Sequence, residues 1–110
     1  MAYNEQEAAI LRAAIGPRDW LRETRMFGGL CFLDRGNMMV VLRDTGGAFF
    51  RVGPEAEARA LALPGGEVMV MRGKAMRGFV TFGPELLTNE AQLATLIGMA
   101  AAFTAGLPAK

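Results

Sequence analysis

The sequence predicts an α+β fold: a single two-layer domain in which helices pack mainly on one face of a mostly antiparallel sheet of four to five strands. Three observations carry this. Short apolar segments rich in Val, Phe and Met follow one another through the middle of the chain, separated by Gly- and Asp-containing turns. Connections that short force neighbouring strands to run antiparallel. Segments with helical apolar spacing stand at both ends, and Gly-Pro pairs mark the boundaries, so the order is helix, strands, helix, hairpin, helix.

Asn4 and Glu7 have the spacing of a helix cap and its reciprocal partner. Ala8, Leu11 and Ile15 then form an apolar stripe, widened by Ile10 and Ala14, and Gly16-Pro17 stops it. Trp20 lies in the connection and is expected to cap the core. Arg25-Met26-Phe27 predicts a short strand ending at Gly28-Gly29. Residues 30–33, 38–42 and 48–52 predict three more, joined by the turns Asp34-Arg35-Gly36-Asn37 and Asp44-Thr45-Gly46-Gly47. Gly53-Pro54 opens a second helix, with Pro at its first position and Glu55 and Glu57 at the positive end of its dipole. That helix runs to Leu63. Residues 68–71 and 79–82 pair around Arg72-Gly73-Lys74. After a helical turn at 84–87, Thr88 or Asn89 caps a last helix, whose inner side carries Leu93, Leu96, Ile97, Ala100 and Phe103 or Thr104. We expect Met26, Phe27, Phe32, Val40, Phe50, Val52, Met76 and Val80 to share one core with Leu11, Ile15, Leu93, Leu96 and Ile97.

The 110 residues, 52% of them apolar, suit one domain. A chain of this length buries roughly two-thirds of its unfolded surface. There is no repeat, linker or low-complexity tract. The sequence has no His, no Ser and one Cys, Cys31. That removes Ser-His-Asp and Cys-His nucleophiles, His acid–base chemistry and His/Cys zinc sites. Ten Arg and two Lys face eleven acids for a net charge of +1, which is not the balance of a protein that holds nucleic acid by bulk charge. The excess of Arg over Lys, with the many Ala and Gly, fits a GC-rich genome. A single Cys forms no internal disulfide. Residues 1–12 carry Glu5 and Glu7 and no secretory h-region, and no stretch approaches the roughly 18 apolar residues of a membrane span. We expect a soluble cytoplasmic protein with no membrane partner.

Few motifs carry chemistry. Gly28-Gly29 follows a strand, but another strand comes next, not the helix of a dinucleotide loop, and Gly73-Lys74 lacks the Ser/Thr of a P-loop. Asp19, Glu23, Asp34, Asp44, Glu67, Glu85 and Glu90 sit at turns and element ends as caps and solvated surface. We therefore expect no catalytic residue, no metal site and no cofactor. Cys31, within Leu30-Cys31-Phe32-Leu33, fits a small buried hydrophobe. The eight Met residues fit core filling, with an adaptable partner surface as the alternative. Met69 and Met71 share one face of their strand, and Met38-Met39 occupy both faces of theirs. Arg22 and Arg25 precede the Gly28-Gly29 bend, while Arg72, Lys74 and Arg77 cluster in one hairpin. If these segments meet, they form a basic patch for an anion or small molecule.

The run Arg25-Met26-Phe27-Gly28-Gly29-Leu30-Cys31-Phe32 resembles the opening of the TfoX N-terminal domain family. Gly36-Asn37-Met38 resembles its turn, and Phe50-Arg51-Val52-Gly53-Pro54-Glu55-Ala56 its strand-to-helix junction. Gly73-Lys74-Ala75-Met76-Arg77-Gly78-Phe79-Val80 resembles its last hairpin. The resemblance extends from about Thr24 to Phe103 and keeps the family's motif order. It implies a small bacterial α+β domain without catalytic activity. Longer relatives in the TfoX/Sxy group regulate competence-gene transcription and carry a second, C-terminal domain, whereas the chain here is expected to stand alone.

Together these point to a non-enzymatic binding or regulatory module that works through a protein partner. The alternative is a small-molecule or anion-binding domain using Arg22, Arg25, Gly28, Gly29, Arg72, Lys74 and Arg77. A homodimer is expected, because the apolar fraction is high and a sheet has edges to cover. Strong DNA binding by the chain alone is not expected: the helices offer only Arg12 and Arg59 before Lys110, and no recognition helix results.

Overall fold

The computed structural model describes residues 3–26 and 28–110. Helix α1 (Glu5–Ile15) starts where Asn4 Oδ1 accepts the amides of Gln6 at 2.8 Å and Glu7 at 3.0 Å. These are two of the donors that a helix start leaves unpaired. The chain then runs β1 (Leu21–Met26), β2 (Gly29–Asp34), β3 (Asn37–Leu42), β4 (Ala48–Arg51), α2 (Glu57–Leu61), β5 (Glu67–Met71), β6 (Lys74–Phe82), a 3₁₀ turn (Pro84–Thr88) and α3 (Glu90–Ala105). Asn89, not Thr88, caps α3, through its side-chain oxygen and the Gln92 amide at 3.1 Å.

All strands join one antiparallel sheet in the order β1-β2-β3-β4-β6-β5. Among the described residues the sheet has six strands, more than the four to five expected, because both strands of the last hairpin extend the sheet of the first four. The first strand also lies further upstream than Arg25-Met26-Phe27, and the Phe27 part of that expectation falls outside the described residues. In the β2–β3 and β5–β6 turns the non-Gly residues Arg35 and Arg72 adopt φ of 48° and 54°, each followed by a Gly with positive φ. Two successive positive φ values are what a two-residue hairpin needs to match strand twist.

The second helix is shorter than expected and begins at Glu57 rather than Pro54. The amides of Val52 and Gly53 both donate to the Gly78 carbonyl, at 2.8 and 3.0 Å, and hold the chain in a turn through residues 54–56. Glu57 Oε1 then accepts the Gly78 amide at 2.8 Å, so the first residue of α2 is tied to β6.

All three helices and the 3₁₀ turn send their buried apolar side chains to one face of the sheet. There Leu11, Ile15, Leu93, Leu96 and Ile97 meet Phe32, Val40, Phe50, Val52 and Val80, as expected, with Phe50 and Phe82 edge to face at 6.0 Å. Trp20 packs against this core, partly exposed. A register slip between Phe32 and Leu33 opposes Phe32 to Val40 but Leu33 to Met38. Met39 is the extra residue of this bulge, which is why Met39 and Val40 both turn to the helices while Met38 turns away. Met26 and Met76 do not belong to this core. They lie with a second cluster on the opposite face: Thr24, two residues from Met26, is paired with Cys31 of that face, and the β5–β6 register slips between Val68 and Val70, so Met76 does not keep the side that alternation from Val80 would give it.

Candidate binding face

Strand alternation sorts the sheet into two unlike faces. Cys31 and Leu33 of β2, Met38 and Val41 of β3, Phe49 of β4, Met69 and Met71 of β5 and Phe79 of β6 share the face turned away from the helix-packed core. Among the described residues, no helical residue belongs to this cluster. Its centre is nonetheless buried: Cys31, Val41 and Phe49 lie beneath a ring of partly exposed apolar side chains, most of them Met. Phe49 and Phe79 meet at 6.1 Å between ring centroids, at 62°.

A hollow of about 50 Å³ opens in this surface, lined by Met38, Phe49, Met69, Met71, Met76 and Phe79. It has no polar lining. Four flexible, polarisable thioethers around two aromatic rings make a surface that can re-pack against differently shaped apolar groups. Charged residues share this face of the sheet. Arg51, paired with Phe79 across β4–β6, lays its guanidinium 5.8 Å from the Phe79 ring and 5.5 Å from that of Phe103 on α3. Lys74 stands opposite Met71, and Arg22 precedes Thr24 by two positions on the same face of β1. Arg43 Nη1 donates to Thr81 Oγ1 at 3.0 Å, and Glu67 is paired with Thr81.

Cys31 and Asp34 are both buried. Burial pushes the Cys31 thiol up to about 11, so it stays protonated and unreactive at neutral pH. Burial also pushes the Asp34 carboxyl up. The hydrogen bonds from Arg35 and Thr104, with the charges of Arg35 and Arg18, outweigh that and hold it below its ordinary value. Among the described residues no three His, Cys, Asp or Glu side chains gather as ligands for a metal ion. No described helix is long and apolar enough to cross a membrane.

The basic residues singled out from sequence fall into two groups. Arg72, Lys74 and Arg77 lie together in the β5–β6 hairpin, whereas Arg22 and Arg25 lie on β1, with β2, β3 and β4 between β1 and β6 in the sheet order. Arg22 Nη1 donates to the carbonyls of Asp19 and Leu21, at 2.9 and 2.8 Å, and Arg25 stacks 5.6 Å from the Tyr3 ring. Gly28 and Gly29 lead into β2. A Cβ on Gly29 would fall on the carbonyl oxygen of Leu42, so β2 and β3 approach there as only Gly allows.

The TfoX N-terminal domain model matches residues 13–104, most of the chain. The chain belongs to the TfoX N-terminal domain family. No curated protein and no solved structure matches it. The motif segments of this TfoX N-terminal domain now have physical roles. Gly29 allows the β2–β3 approach. Val52, Gly53 and Gly78 form the hydrogen-bonded junction that starts α2. The period-two recurrence of Met69 and Met71, like that of Cys31 and Leu33, marks part of the methionine face in the sequence, whereas Met38 and Met76 join it through register.

Proposed function

We propose that this TfoX N-terminal domain is a non-catalytic regulatory module of the cytoplasm that binds a protein partner through its methionine-lined sheet face. The observation that carries this is the wholly apolar hollow between Met38, Phe49, Met69, Met71, Met76 and Phe79, on a face that no described helix covers. A face buried in the monomer needs no such adaptable rim, whereas surfaces that accept partners use Met for its three rotatable bonds. The cations Arg22, Arg51 and Lys74 share that face, which suits a partner segment with an apolar anchor flanked by carboxylates.

The test is methyl NMR of the Met-labelled protein. It is titrated with a synthetic acidic peptide bearing Leu and Phe anchors, and separately with the same peptide carrying Lys for its acids. The methyls of Met38, Met69, Met71 and Met76 should shift with the acidic peptide and far less with the basic one. Met39 and Met99, on the helix side, should stay in place. Equal shifts with both peptides, or none at about 1 mM peptide, would overturn the proposal.

A further inference from the structure

We infer that a second copy of this chain pairs with the outer edge of β5, antiparallel and centred on Met69. This edge adjoins the methionine hollow, which Met69 and Met71 also line, but the inference does not depend on the role of that hollow. The two edge strands of the sheet differ sharply. The edge strand β1 reads Leu-Arg-Glu-Thr-Arg-Met and interposes charge along its length. Charged side chains are a common way to keep an edge from pairing. The other edge, β5, reads Glu-Val-Met-Val-Met, with neither Lys nor Pro. Val68 is 43% exposed and Val70 59% exposed, the two most exposed large apolar side chains among the described residues. An apolar edge with free backbone groups invites a further strand.

A second copy is the occupant because β5 complements itself. A two-fold axis requires that residue i face residue j and that j face i. Val68-Met69-Val70 reads the same in both directions, so an axis at Met69 sets Val68 against Val70 of the second copy and Met69 against its own equivalent. Both pairings preserve the faces of the sheet. Val68 is registered with Val80 of the helix-packed core, and Met69 belongs to the methionine cluster. The valines of the two copies would thus cover each other on the helix side, and the two methionine surfaces would become continuous. In this register Glu67 of each copy faces Met71 of the other, and Arg72 faces Gly66. An interface built on one five-residue strand lies at the small end of the specific range, below about 1,200 Å² in total, where complexes are weak and transient.

Sedimentation velocity of the full chain, from about 1 to 200 μM, tests this. The wild type should shift from 11.8 kDa toward twice that mass. Val70→Lys removes no buried contact from a monomer and should remain at 11.8 kDa throughout, with an unchanged melting temperature. A wild type that stays monomeric across the range overturns the inference. So does a dimer that Val70→Lys leaves intact, which would place the contact elsewhere.

Discussion

The hydroxyl of Thr104, on α3, donates to the buried carboxylate of Asp34, on β2, across 2.7 Å. The Ala100 carbonyl lies further from the same hydroxyl, at 3.1 Å, so its single proton belongs to Asp34. Asp34 is 1% exposed and takes a second hydrogen bond, of 2.7 Å, from Arg35 Nε. Nearby, Asn37 Nδ2 donates to the Pro108 carbonyl and the Lys110 amide to that of Arg35. The end of the chain is thereby tied to the β2–β3 turn. Thr104→Val keeps the shape and removes a hydrogen bond to a charged acceptor, which should cost about 1.5–3 kcal/mol in urea unfolding. A loss under about 0.5 kcal/mol would show that the carboxylate does not need this donor.

Asp34 titrates below its ordinary value when folded, so unfolding raises its affinity for a proton. Its stabilisation is complete above the unfolded value near 3.9 and is lost as pH falls through the lower folded value. Wild-type stability should therefore decline as pH drops below about 4, and Asp34→Asn should be less stable at pH 7 but flatter in that acid range. Parallel acid profiles for the two proteins would remove Asp34 as a source of acid sensitivity.

Cys31 is buried, and its thiol is pushed up to about 11. Ellman's reagent at pH 8 should find no fast-reacting thiol in the folded protein and one per chain in urea. Immediate reaction without denaturant would mean that the methionine face opens far enough to admit the reagent.

Gly29 and Gly73 separate steric need from backbone strain. Gly73 has a φ of +78° and nothing within 4 Å of an added Cβ, so Gly73→Ala should cost about 1–2 kcal/mol, the left-handed penalty alone. At Gly29 the added carbon meets the Leu42 backbone oxygen, which cannot yield without parting β2 from β3. Gly29→Ala should cost more than about 3 kcal/mol. Equal melting temperatures for the two variants would show that the β2–β3 approach is looser than it stands here.

The five basic residues Arg22, Arg25, Arg72, Lys74 and Arg77 offer at most about five phosphate contacts, giving a log–log salt slope near −4.5 and a loss of about 500-fold between 50 and 200 mM salt. Split between β1 and the β5–β6 hairpin, they should give no sub-micromolar binding to a labelled duplex at about 150 mM salt by fluorescence anisotropy. Tight binding that Arg72→Ala or Arg77→Ala weakens would restore direct DNA contact.

The fold class and the order of the elements lay open in the sequence, because caps, turns and periodicity are local. Asn4 and Asn89 bond amides two or three residues away, and Gly16 and Arg35-Gly36 end their elements through their own backbone angles. Leu11, Leu96 and Phe32 read as core because apolar residues on one stripe or one strand face have only one place to go. The division of the apolar residues between two faces was set by pairing. Thr24 opposite Cys31 sends Met26 away from the helices, and the extra residue Met39 in β3 keeps Val40 with them. The start of α2 likewise depends on Gly78, twenty-one residues beyond Glu57, because its carbonyl and amide complete the bonds of that junction. Spacing along one strand reports which residues share a side. Which side meets the helices, and which is left for a partner, depends on register with strands far away in sequence, and only tertiary packing determines that.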